Sequence, residues 1–243
     1  MQTSNAKPTL HSAASRRARF VVLALALILV GTTAISLLLG RYPIDPAQAV
    51  AMLVNQIVPL DLIWTEQQAT LFFNVRLPRV LLALMVGCCL ACAGAAYQGT
   101  FQNPLVSPDI LGASQGAAFG AAVAILLGVS SFTTSLFAFG FSLLTVLLVL
   151  LISVMVSSLF QAGVSYAKLV ADPTDELADI TYWLMGSLTG ANMRDIGMVF
   201  PIMLIGCATL FALRWRINIL TMGDDEAATM GIDARKLRLV VIL

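Results

Sequence analysis

The residues best suited to chemistry in this chain are its four cysteines, Cys88, Cys89, Cys92 and Cys207. Cys89 and Cys92 have the C-x-x-C spacing of a redox or metal-binding pair. No further Cys or His lies near them in sequence to complete a site, so the expectation is small polarizable side chains packed between helices, with no metal centre. Acids are equally sparse. From Val80 to Ala167 the only charged side chain is Asp109, too little for intramembrane catalysis or a proton relay, which need several ionisable groups together. Gly112, Gly116 and Gly120 recur every four residues. No strand precedes them and no Lys-Ser/Thr pair follows, so they read as a helix face built for close approach and not as a phosphate cradle. Gly186 and Gly190 repeat the spacing in a segment too short to span a membrane. The uncharged polar residues Gln98, Asn103, Ser114 and Gln115 lie at or near apolar runs, where they either line a pathway or bond neighbouring helices.

The elements that would position these groups are helices in lipid. Of the 243 residues 59% are hydrophobic and 11% charged, and the mean hydropathy is +0.90. A water-soluble fold of this size could not hide that much apolar surface. Apolar runs of about 20 residues predict spans over 20–39, 80–101, 110–127 and 196–213. Between the first two, the mixed segment 41–79 predicts an aqueous loop with a short helix over 46–58 lying on the membrane face. The first run is longer than a signal-peptide core and lacks a cleavage site, so it reads as a retained span behind a cytoplasmic tail, 1–19, that carries Arg16, Arg17 and Arg19.

The apolar region 132–167 is too long for one crossing, since 36 residues would run about 54 Å through a core of about 30 Å. The basic flanks at Arg16–Arg19 and at Arg214, Arg216, Arg235, Lys236 and Arg238 both belong inside, which requires an even number of crossings. Two spans in 132–167 satisfy that count and put Asp172, Asp175, Glu176 and Asp179 outside. No Gly, Pro or charge near Leu150 marks the turn between them. The net charge of +1 offers nothing to nucleic acid.

Three stretches resemble the permeases of ATP-driven importers for iron-siderophores, haem and vitamin B12. The first is Arg76-Leu-Pro-Arg79, leading to Gly87, Gly94, Gln98-Gly99, Asn103-Pro104-Leu105 and the Leu111-to-Ala117 stretch. The second runs from Ala171-Asp-Pro-Thr-Asp-Glu to Gly186-Ser187-Leu188. The third is Asn218-Ile219-Leu220-Thr-Met-Gly223-Asp-Asp-Glu-Ala-Ala-Thr-Met-Gly231. The resemblance implies an all-α polytopic bundle over 20–243 that carries iron-siderophore-type chelates by alternating access and performs no covalent chemistry. It also implies a second permease copy, a periplasmic or lipoprotein substrate-binding protein, and a cytoplasmic ATP-binding subunit. That subunit would use the ATP, while this chain, which has no Walker motif, binds no cofactor. By the same resemblance, Arg76 and Arg79 dock the binding protein. Gly223, Asp224, Asp225, Glu226, Ala227, Ala228 and Gly231, within a cytoplasmic segment at 214–238, couple the spans to the ATPase. The inner membrane of a bacterium or archaeon is the expected location. Two departures from the pattern, the absent basic loop between the fourth and fifth spans and the end at Leu243, suggest a shortened version of such a permease.

Overall fold

The computed structural model describes residues 10–59, 63–152 and 155–242. Every regular element among them is helical. The chain divides into two compact units, 1–82 with 191–193, and 83–190 with 194–243.

In the first unit, α1 (Leu10–Leu38) starts ten residues before the expected span and carries the three arginines on its first turns. α2 (Pro46–Val54) is shorter than expected. Its start is fixed by a capping box in which Asp45 accepts from the Ala47 amide and Gln48 answers to the Asp45 amide. A second capping box, Thr65 with Gln68, opens α3 (Glu66–Leu71). From there one helix runs through a π-helical turn, Phe72–Arg76, into α4 (Leu77–Phe101).

That continuity corrects one expectation: the segment 41–79 is helical from Glu66 onward, so the helix that holds the expected second span begins well before Val80. The cause is how the helix absorbs Pro78. A proline lacks an amide and clashes with the carbonyl four residues back, so it breaks a regular helix. Here the turn before it is widened, with the Leu77 amide reaching the Phe72 carbonyl, and the helix passes through with Pro78 fully buried.

The second unit contains the rest of α4 and then α5 (Ala113–Leu126), α6 (Ser131–Leu151), α7 (Met155–Val170), α8 (Glu176–Met185), α9 (Met193–Leu220), α10 (Asp224–Thr229) and α11 (Ala234–Ile242). α4, α6 and α9 are long and apolar enough to cross a membrane, as is α1 in the first unit. α5 is apolar but shorter, because its N-terminal turn is consumed by the bend at Pro104 and Pro108 and by Gly112 at φ +78°.

α6 and α7 are separate helices, so the region 132–167 holds two helices in place of one, with α6 ending at Leu151; of the two, α6 is long and apolar enough to cross a membrane. Residues 153–154 lie outside the described residues. The break needs no turn residue because tertiary packing sets it. α6 lies antiparallel on α5, with Thr145 at Gly116 and Phe137 at Gly120, while α7 lies parallel to α5, with Ser157 at Gly112 and Phe119 against both Phe160 and Gly163. A single continuous helix would forfeit one of these two faces. The weak helix formers Ile152 and Val156 beside the break offer it little resistance.

Two clusters mark the ends of this unit. At one end Leu111, Val146 and Val149 pack with Tyr97, Leu220, Ala227, Leu237, Val241 and Ile242. At the other, Ala122, Ala167, Ala171 and Ile180 pack together. The acidic segment Asp172–Asp179 therefore sits at the end of the unit opposite α10 and α11.

Candidate functional site

α9 runs to Leu220, seven residues beyond the expected end, so Arg214 and Arg216 belong to the helix and the polar segment proper starts at Thr221. Arg214 lies over the Phe211 ring, 3.9 Å from its centroid. The chain then turns through Gly223 at φ +135° into α10, whose first three residues are Asp224, Asp225 and Glu226. Acids are favoured there by the unpaired amides of a helix start. Ala227 is completely buried, whereas Asp224, Asp225, Glu226 and Ala228 are exposed, as are the flanking Met222 and Met230.

α10 ends in a Schellman motif: the Ile232 amide bonds the Ala227 carbonyl at 2.9 Å and the Gly231 amide bonds that of Ala228 at 3.0 Å. Gly231 sits at φ +77°, so glycine is required there by conformation.

The residue that holds α10 in place is one that the sequence offers only as part of a basic inside flank. Arg238 on α11 grips Asp224 with both terminal nitrogens, at 2.9 and 2.7 Å, and its Nε donates to the Thr100 carbonyl at the end of α4 at 3.4 Å. Its guanidinium thus ties three helices together. Gln102 adds a second tie, donating to the Leu220 carbonyl at 2.7 Å from a backbone at φ +51°. The signal for Arg238 was available in principle, since an arginine fork pairs with a carboxylate. No periodicity links positions 14 residues apart across a glycine turn.

In the first unit the two arginines flanking Leu77-Pro78 have different surroundings. Arg76 directs its guanidinium onto the end of α1, donating to the carbonyls of Leu37 (2.9 Å), Leu38 (2.8 Å) and Tyr42. It fills the space over Gly40, where a Cβ would stand 2.9 Å from its Cζ. Arg79, half-buried one turn further on, lines the same hollow with Ser36, Tyr42 and Val75.

The glycine stripe is a packing face. A Cβ on Gly116 would stand 2.5 Å from the Phe141 carbonyl oxygen, and one on Gly120 would stand 2.5 Å from that of Phe137. Gly186 and Gly190 have open space around them instead, so their matching interval marks no contact. Among the polar candidates, Asn103 accepts from the Leu105 amide at 2.9 Å in the turn after α4. Ser114 donates to Asp109 at the start of α5. Gln98 is exposed and Gln115 half-buried.

The cysteines lie closer together than sequence spacing suggested. Cys207 on α9 brings its sulfur within 3.5 Å of that of Cys89, and the sulfurs of Cys88, Cys92 and Cys207 all lie within 4.8 Å of one another.

Residues 27–243 match the FecCD transport family. The chain belongs to that family. It is 37% identical over 237 residues to the molybdate import permease of Haemophilus influenzae, covering 91% of this chain and 70% of that protein. To the cobalamin import permease of Halobacterium salinarum it is 31% identical, over 79% of this chain and 56% of that one. To the Fe(3+)-citrate import permease of Bacillus subtilis it is 31% identical, over 93% and 70%. It also resembles the solved inward-facing structure of an ABC transporter of metal-chelate type, with TM-score 0.74 and 35% identity over 92% of this chain and 71% of that one. The chain is thus an ABC-importer permease chain of the FecCD family and a multi-pass membrane protein.

Proposed function

We propose that this chain is the permease of an importer that moves an iron-siderophore-type metal chelate across the cytoplasmic membrane of a bacterium or archaeon. A second permease copy would complete the pathway, a cytoplasmic ATPase would drive it, and an external binding protein would deliver the substrate. The observation that carries the reading is the foot formed by α10. It is a short helix with an exposed acidic edge, flanked by two exposed methionines and locked through Arg238 of α11 to the end of α4. A push on that edge has a rigid route into a long apolar helix. Asp225, Glu226 and Ala228 would meet the ATPase, while Gly223, Asp224, Ala227 and Gly231 hold the foot's shape. At the other candidate contact, Arg76 and Arg79 would meet carboxylates of the binding protein, with Arg76 held in place by the end of α1. Gln98, Asn103, Ser114 and Gln115 are assigned to the pathway or to the bonds that hold its walls.

Energy would enter only through differential binding of partners to two states of the permease, so the chain needs no catalytic group. A second reading, molybdate as cargo, is favoured by the 37% identity to the molybdate permease, against 31% to the iron-citrate and cobalamin permeases. Uptake of radiolabelled ferric siderophore and of radiolabelled molybdate, in cells with and without the intact reading frame, separates the two. Loss of ferric-siderophore uptake alone supports the proposal. Loss of molybdate uptake alone transfers the assignment to the oxyanion, and uptake unchanged for both sinks each of them.

A further inference from the structure

We propose that Cys88, Cys92 and Cys207 form a three-thiolate site for a soft, thiophilic metal ion of the Cu(I) class, tying α4 to α9 near mid-length. The site does not depend on which substrate the permease carries.

Cys88 and Cys92 are four residues apart, so they project from one face of α4 one above the other. Cys207 is close to the middle of α9, which spans Met193–Leu220, and it supplies the third sulfur from the facing helix. All three sulfurs lie within 4.8 Å of one another. Thiolates about 2.3 Å from a shared ion in a trigonal plane stand about 4 Å apart, so modest side-chain rotation closes the site without moving either backbone. Two ligands at i and i+4 on one helix with a third from a neighbour is an economical way to build a metal site, because the helix fixes the first pair.

The donor set selects the ion. It is all sulfur, and soft thiolates favour Cu(I) over the hard cations that prefer oxygen. A structural zinc site would call for four ligands. Cys89 touches Cys207 at 3.5 Å but stands outside the mutually close group. Binding forms metal–sulfur bonds and releases thiol protons, with no change of oxidation state. The protons have an exit: Cys92 and Cys207 line a groove that continues past Ala96 and Gly99 to Asn218 and Thr221 at the end of α9.

The test uses the full chain purified in detergent under a non-thiol reductant and titrated with Ag(I), a redox-stable stand-in for Cu(I). Expected are one bound ion per chain by elemental analysis, a near-ultraviolet sulfur-to-metal band, and weaker binding as the pH is lowered. Cys207→Ser and Cys92→Ser should lose the bound ion, whereas Cys89→Ser should keep it. Alkylation of the unsubstituted chain provides a readout free of folding defects: Ag(I) should slow modification of Cys88, Cys92 and Cys207 together. No bound ion, equal binding by the Cys207→Ser chain, equal loss in Cys89→Ser, or protection of Cys88 alone would each overturn the three-thiolate assignment.

Discussion

At the scale of single residues, side chains that look interchangeable in sequence separate by what surrounds them. Gly116 and Gly140 are both helical glycines in apolar runs. A methyl group on Gly116 meets the Phe141 backbone carbonyl at 2.5 Å, and one on Gly140 meets nothing within 4 Å. Gly116→Ala should therefore force α5 and α6 apart and cost about 1–3 kcal/mol. Gly140→Ala should be neutral or stabilise by up to about 1 kcal/mol through helix propensity. Thermal unfolding of the two variants in detergent checks the contrast, and equal Tm values would mean that the two helices are not in contact along the stripe. The arginines divide in the same way. Arg76 satisfies the last two carbonyls of α1 and that of Tyr42 beyond it, groups a helix end in a membrane cannot leave unmet without cost. Arg76→Ala should lower stability by about 1–3 kcal/mol. Arg76→Lys should recover only part of the loss, because an ammonium cannot reproduce the fork. Full recovery with lysine, read as Tm, would show that charge alone matters there.

At the scale of elements, the foot depends on two caps. The αL backbone of Gly231 closes α10, so Gly231→Ala should cost about 1–2 kcal/mol locally. Hydrogen exchange of the Ala227–Ile232 amides should speed up accordingly. Gly231→Asn should be milder, since asparagine tolerates the left-handed region better. Unchanged exchange with alanine would contradict the Schellman geometry. α11 is opened by Asp233, whose Oδ1 accepts from the Arg235 amide at 3.0 Å and the Lys236 amide at 3.1 Å, with the Lys236 ammonium 3.5 Å from Oδ2. The bond from the Lys236 amide is the chief cause that holds this carboxyl below the usual range for an aspartate. A carboxyl whose pKa is lowered by folding stabilises the folded state above its unfolded pKa. That contribution is lost as the pH falls through the folded value. The Tm difference between the unsubstituted chain and Asp233→Ala should thus be largest near neutral pH and shrink below about pH 4. A difference that grows on acidification would mean the carboxyl is not the cap.

At the scale of the whole molecule, composition and charge count went far. The all-helical class, a helix in each expected region and the division of 132–167 into two helices were legible because lipid imposes long apolar helices and charge constrains the parity of crossings. Two local features were not. The helix through Pro78 could not be read because a widened turn leaves no mark in hydropathy, and the α6–α7 break could not be placed because packing on α5 sets it in a run with no turn residue. At the candidate site, the acidic start of α10 was legible from local capping rules. The Arg238–Asp224 grip and the approach of Cys207 to the α4 cysteines are long-range pairings that one sequence does not display. The doubling carries a further consequence for sidedness. Within the second unit, Val146 and Val149 near the end of α6 share a cluster with Ala227 and Leu237, while Ala167, Ala171 and Ile180 share another at the far end. The end of α6 therefore lies at the same end of the unit as the foot, and the acidic segment at the opposite end, which predicts opposite sides of the membrane for the two. Single cysteines placed at Ile152, Asp225 and Asp175, in a background with the native four replaced, should follow that division. A membrane-impermeant maleimide applied outside intact cells should modify Asp175→Cys, and Ile152→Cys and Asp225→Cys should react only after the membrane is opened. Should Ile152→Cys and Asp175→Cys react together, α6 and α7 would not be two crossings, and the even count behind the orientation would fail.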